Sequence, residues 1–201
     1  MSKLGRSALV ASFAIALVCA SSSLLAQETK PESGKTEKDW KEMKLDAKRQ
    51  QVDAVAGAAL DQLLKENPKA KELYEKAYGW AAFDNLKLGF FFSGGGGKGV
   101  AVDKKTGKRT YMNMGSAGFG LTFGGKKYQV VFLFQDSQTF RNFVDNGWQA
   151  TGSAGATAGT EKVGGQTSFV NGMAIYQIDS KGLMANVDLS GTKYFKDSDL
   201  N

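Results

Sequence analysis

The sequence has no histidine, a single cysteine and two prolines in 201 residues. Without histidine there is no Ser-His-Asp or Cys-His catalysis and no His-bearing zinc site. The one thiol, Cys19, sits in a segment that reads as an address tag. The chain beyond it therefore has no disulfide and no thiolate ligand for a metal. No cofactor is expected. Carboxylate chemistry, lysine chemistry or no chemistry at all remains. The length suits one domain, and it is enough to bury a core without covalent staples.

Lys3 and Arg6 precede a 13-residue apolar run, Ala8 to Ala20, and then three serines and Leu-Leu-Ala26. That order reads as a secretory signal peptide over residues 1–26, cleaved after Ala26 or Ala20, with Ala26 favoured. The run is shorter than the roughly 20 apolar residues a spanning helix needs. Lipidation at Cys19 is disfavoured because Val18 is larger than the small residue such sites prefer. The expected location is periplasmic or secreted. Removing Lys3 and Arg6 takes the balance of 26 basic and 20 acidic residues from +6 to +4. A mildly basic exported chain is not expected to bind nucleic acid.

Residues 27–38 are polar and read as a disordered leader before a domain over 39–201. From Asp39 to about Lys65, Val52, Val55, Ala56, Ala59, Leu60, Leu63 and Leu64 recur at helical spacing. Asn67-Pro68 restarts a second helix, which stops at Gly79. Beyond it the composition changes: 22 of the 25 glycines lie between Gly79 and Gly191. Short apolar runs there predict strands near 80–83, 86–93, 97–103, 109–114, 116–124, 127–135, 148–159, 166–178 and 182–190. Asp103–Gly107 and Asp179–Gly182 read as hairpin turns, and one helix starts at Asp136 or Ser137. Glycine inside a strand marks a bend, a bulge or close backbone packing, as a strongly coiled sheet requires.

Gly94-x-Gly96-x-x-Gly99 matches a dinucleotide fingerprint in letters only. A strand and a hairpin follow it, where the cofactor needs a helix N-terminus. Asp84, Asp103, Asp136, Asp145, Glu161, Asp179 and Asp188 are candidate carboxylates, but most sit in turns or at a cap, where Asp serves the backbone. No catalytic residues and no metal ligands are assigned. The basic residues are more suggestive. Lys98, Lys104, Lys105, Lys108 and Arg109 surround one glycine run and one turn, and Lys126-Lys127 mark the next. If the strands are consecutive hairpins, two of these turns can share one end of the sheet and meet anionic headgroups. Trp40 and Met43, with Lys44 and Lys48, form a second candidate, an interfacial helix facing a membrane.

Several segments carry a family resemblance: Ala58-Ala-Leu60 with Leu63 before Asn67-Pro68; Lys76-Ala-Tyr-Gly79 with Phe83; Ser93 to Ala101; and Ser116 to Gly120 leading into Tyr128 to Phe134. Phe140 and Phe143 before Gly147-Trp148, Gly182 to Ala185, and Leu189 to Thr192 complete the set. In this order they resemble the SYLF lipid-binding domain family, from about Val52 to Tyr194. Asp84 stands where the family often has proline. The resemblance implies a fold and a tendency toward anionic lipids, phosphoinositides among them, with no catalytic residues. Some eukaryotic members act on actin, which does not suit an exported, bacterial-looking chain.

The expected architecture is α+β: N-terminal helices on a glycine-rich, mainly antiparallel sheet that curls toward a barrel. The expected function is a non-catalytic lipid-binding module of the bacterial envelope, with anionic lipids or a membrane surface as partner and protein partners unassigned. The alternatives are an envelope interaction protein without a lipid ligand, or a small outer-membrane β-barrel.

Overall fold

A computed structural model describes residues 36–89, 92–119, 124–150, 168–183, 189 and 191–201. The signal segment and all but the last three residues of the leader lie outside the described residues. The described elements run α1 (Glu37–Glu66), α2 (Pro68–Lys76), β1 (Gly79–Gly89), β2 (Phe92–Asp103), β3 (Arg109–Phe119), β4 (Gly124–Phe134), α3 (Ser137–Asn146), β5 (Trp148–Gln149), β6 (Met173–Asp179), β7 (Gly182–Leu183) and β8 (Thr192–Lys196).

Local chemistry sets the helix ends. The Thr36 hydroxyl accepts from the Asp39 backbone N–H, and the Asp39 carboxylate accepts from the Thr36 N–H at 2.7 Å. This capping box starts α1 two residues before the expected Asp39. Asn67 caps α2 by accepting from the Ala70 N–H at 3.0 Å, with Pro68 at the first helical position. Asp136 caps α3 through the Thr139 N–H, and Gly147 follows with φ +72°.

The strands form one antiparallel sheet in the order β5-β8-β3-β2-β1-β4-β6-β7. Its two faces carry separate cores, as the two-residue alternation of strands requires. On the outer face Ala56, Ala59, Leu60 and Leu63 of α1 and Leu73 of α2 pack on Val100, Val102, Val131, Leu133, Tyr176 and Ile178. On the inner face lie Phe83, Met112, Val130, Phe132, Phe134 and Tyr194, closed by Phe140, Phe143 and Val144 of α3.

The sheet is curled, and one contact shows it. Phe83 of β1 and Tyr194 of β8 meet edge to face with ring centroids 4.6 Å apart. β2 and β3 lie between their strands. In a flat sheet those strands would be about 14 Å apart with their side chains pointing the same way. The glycines of β2 make room for this. A Cβ at Gly97 would run into the Asn85 carboxamide, and one at Gly99 into the Phe83 ring and the Ala82 carbonyl. Side chains of β1 thus fold over the bare backbone of β2, the close packing expected of strand glycines.

The strand boundaries need correction. The segments predicted at 80–83 and 86–93 are one strand across Asp84-Asn85, with the following predicted strand starting five residues earlier, at Phe92. Those at 109–114 and 116–124 merge across Gly115. Asp84-Asn85 interrupts the apolar run in the sequence, but the strand continues through it, with Asp84 exposed on the outer face and Asn85 buried on the inner one. Most of the segment predicted at 166–178 is described, and its strand is confined to β6, which starts at Met173, while the predictions at 148–159 and 182–190 fall largely outside the described residues. The outer-membrane barrel is not the architecture. Such a barrel needs an apolar lipid-facing band on the outside, and here α1 and α2 cover that face.

Candidate functional site

The predicted basic residues do not form one cluster, and the register shows why. Gly79 pairs with Asp103 and Phe134, so the turn between β2 and β3 sits at that end of the sheet, the near end. Lys126 pairs with Lys87 and Lys127 with Leu86. At roughly 3.3 Å per residue they lie about 23 Å along β1 from Gly79, toward the far end. Successive turns of a meander bracket a strand and fall at its opposite ends. The expectation that the turn at 104–109 and Lys126-Lys127 share one end is therefore wrong. Lys126 and Lys127 also lie within β4, not in a turn.

At the near end the turn is held by Asp103. Its carboxylate accepts from the Lys105 and Thr106 backbone N–H groups at 2.8 and 3.0 Å and from the Tyr78 hydroxyl at 2.7 Å. Burial pushes the Asp103 carboxyl up, but the bonds from Tyr78, Thr106 and Lys105 outweigh it and leave it below its ordinary value. The same bond raises the Tyr78 hydroxyl. Lys104 is committed elsewhere. Its ammonium donates to the carbonyls of Tyr74 and Ala77 at the end of α2 and lies 4.3 Å from the centre of the Tyr74 ring. It is a helix C-cap, satisfying carbonyls that the helix leaves unpaired at its negative end. Burial lowers its pKa, against the pull of Glu75. Arg109 is 3.4 Å from Asp53, which also accepts from the Tyr111 hydroxyl at 3.1 Å. Lys105 and Lys108 remain exposed, without an ion pair among the described residues. Lys108 lines a cleft of about 190 Å³ with Tyr78, Thr110, Arg141 and Asp145.

Lys98 is on the outer face. Its ammonium lies 2.6 Å from Asp197 Oδ2 and 3.1 Å from Asn113 Oδ1. Asp197 is only 3% exposed and also accepts from the Asp199 and Leu200 N–H groups. Burial raises this carboxyl, and the Lys98 and backbone bonds outweigh it, so its pKa lies below the ordinary value. Lys48, expected on a membrane-facing helix, meets Lys98 in a cleft of about 350 Å³ floored by Val52, Val55 and Ala56 and flanked by Asp84. A neighbouring cleft of about 290 Å³ also contains Asp84, with Gln62, Lys127 and Ser180. Trp40 and Met43 of α1 are about half exposed beside Lys44, which is exposed as well.

Of the candidate carboxylates, Asp84 lies exposed in β1, Asp145 is 3.6 Å from Lys196, Glu161 and Asp188 lie outside the described residues, and the other three behave as turn and cap residues. Asp103, Asp136 and Asp179 each accept a backbone N–H bond from a residue two or three positions ahead. Among the described residues no group of three His, Cys, Asp or Glu side chains could hold a metal. The glycine fingerprint lies inside β2, with no helix after it.

Sequence reading missed the polar layer on the inner face. Asn85 and Tyr194 are 2% and 0% exposed, yet among the described residues both amide atoms of Asn85 and the Tyr194 hydroxyl have no hydrogen-bond partner, nor does Ser116 Oγ. Burial, with a contribution from Tyr128, pushes the Tyr194 hydroxyl well above its usual pKa. Only the odd polar residue in β1 hinted at this layer.

Residues 115–201 match the family model Ysc84, described as Las17-binding protein actin regulator. Over 149 residues the chain is 46% identical to Beta cell expansion factor A of Aeromonas veronii, a match covering 74% of this chain. The chain carries a SYLF domain. It spans 57% of the Aeromonas protein's length. Within the SYLF domain the family match takes in β4 with Lys126 and Lys127, α3 and β8, and it starts beyond the turn at 104–109.

Proposed function

We propose that this SYLF domain is a non-catalytic module of the bacterial envelope that binds anionic lipid surfaces. The observation that carries this reading is a set of exposed lysines whose ammonium groups the fold does not use. Lys105 and Lys108 stand at the near end, and Lys127 and Lys193 toward the far end. They form no ion pair among the described residues. Exposed ammonium groups near a negatively charged membrane contribute about 1 kcal/mol each. Lys104 and Lys98 are excluded from this role because α2 and Asp197 occupy them. The signal segment supports an exported location, and Asp103, Asp136 and Asp179, spent on backbone caps, give no support to hydrolysis.

Flotation with neutral and anionic vesicles at low and moderate salt tests the proposal. Binding to anionic vesicles alone, weakened by salt, is expected. Equal binding to both, or to neither, refutes it. The family description names a protein ligand, so failure to float would turn attention to envelope proteins.

A further inference from the structure

Both ends of the sheet carry exposed lysines, but among the described residues only the outer face toward the far end also exposes large apolar side chains of the sheet. α1 and α2 cover the outer face over the rows up to Asp84. Beyond them, among the described residues, no helix covers the face. In the row of Leu86 the neighbours are Gly96, Gly115 and Lys193 on one side and Lys127 on the other. In the row of Leu88 they are Gly94 and Ala117 on one side and Gly125 on the other. Leu86 is 39% exposed and Leu88 is 56% exposed, and Phe195 in the adjoining row is 42% exposed.

The glycines here differ from those on the inner face. Gly97 and Gly99 are forced by close packing. A Cβ at Gly94 or Gly96 would meet only a backbone oxygen, at 4.0 or 3.8 Å. Packing within the fold therefore does not require glycine at these two positions. Their effect is to leave a smooth backbone surface from which two leucines project, with a lysine on either side. Among the described residues no carboxylate lies in the Leu86 or Leu88 row; Asp84 belongs to the row beneath, and it lines with Asp179 the cleft that Lys127 shares. An exposed apolar patch of this kind marks an interaction site, and a rim of one charge sign selects the partner.

We propose that the Leu86 and Leu88 rows form the membrane-entering face: the two leucines pass into the headgroup–acyl boundary of an anionic bilayer, while Lys127 and Lys193 engage headgroups beside them. This rests on the lipid-binding reading above and places its contact toward the far end, away from the turn at 104–109. The apolar term comes from burying the leucine area now in water and the electrostatic term from the two ammonium groups. The bare glycine rows let the lipid surface approach the sheet without a side chain in the way.

The test uses the full chain with Cys19→Ser, so that an introduced thiol is unique. Leu88→Cys and, separately, Lys105→Cys carry an environment-sensitive fluorophore, and each is mixed with phosphatidylglycerol-containing vesicles while flotation is read in parallel. A blue shift at position 88 with a smaller shift or none at 105 is the expected result. Leu86→Ser/Leu88→Ser should lower vesicle partitioning by about tenfold or more, with unchanged circular dichroism because both side chains are already exposed. Flotation with a silent probe at 88, or a shift at 105 alone, overturns the assignment while leaving lipid binding intact. Absence of flotation overturns the lipid-binding reading itself.

Discussion

Replacing Lys104 with methionine separates two roles that the sequence alone merges. As a headgroup ligand, Lys104 would matter to vesicle binding and not to folding. As the cap of α2, it should do the reverse. The structure gives it two close carbonyl acceptors, Tyr74 and Ala77, a longer one at Glu75 (3.4 Å), and a ring face at 4.3 Å. The charge–dipole term contributes about 0.3–1 kcal/mol and the ring contact about 0.5–1 kcal/mol. Each carbonyl bond nets about 1 kcal/mol. These overlap, and water can reach the freed carbonyls in part, so Lys104→Met should cost ~2 kcal/mol. For a domain of this size that is a fall of about 4–8 °C in Tm. The adjacent Lys105→Met, at an exposed side chain, should leave Tm within about 1 °C, since surface changes rarely exceed about 0.5 kcal/mol. Scanning calorimetry on both variants, with flotation alongside, decides between the roles. An unchanged Tm for Lys104→Met together with lost vesicle binding would refute the cap.

Acid should unfold the domain through its caps. Asp103, Asp136, Asp179 and Asp197 all have pKa values below the ordinary 3.8. Their stabilisation is full above about pH 4 and is lost as pH falls through the depressed values. Urea midpoints for Asp197→Asn should show a deficit of about 1–3 kcal/mol at pH 7 that shrinks toward pH 3, and a deficit constant with pH would contradict the reasoning. Asn85→Leu should stabilise the protein by about 1 kcal/mol, because it removes two buried and unpaired polar atoms at similar volume. A loss of stability in chemical denaturation would show that the carboxamide has a partner in solution.

What could be read from the sequence was what neighbouring residues decide. Asn67-Pro68, Asp136 and the Asp103–Gly107 turn act within three or four positions, and each does what its local chemistry predicts. The apolar stripe of α1 is periodic, and its second half is buried as expected. The failures are long-range. Lys104 finds its carbonyls 27 and 30 positions away, and Lys98 finds Asp197 at a separation of 99. No spacing rule announces such partners. The split of β1 at Asp84-Asn85 followed the break in the apolar run, where the inner face holds a buried polar residue and the outer face an exposed charge. The misplaced pairing of the two basic segments needed only the alternation of meander turns. The bare face at Leu86 and Leu88 could not be seen, because it depends on where α1 ends its coverage of the sheet.

The four consecutive glycines of β2 also bear on how the strand finds its place. Gly94 to Gly97 offer a partner no side chain by which to tell one alignment from another two residues away. They also lose more backbone freedom on ordering than any other residues would. Alignment must therefore be fixed elsewhere, by Val100 and Val102 seated under α1 and by the Asp103–Gly107 turn. The β2–β3 hairpin should close from the near end outward, with its glycine segment pairing last and opening first. The part of the sheet proposed to face a bilayer is then also the part whose zipper is easiest to part, and amide exchange would be fastest there.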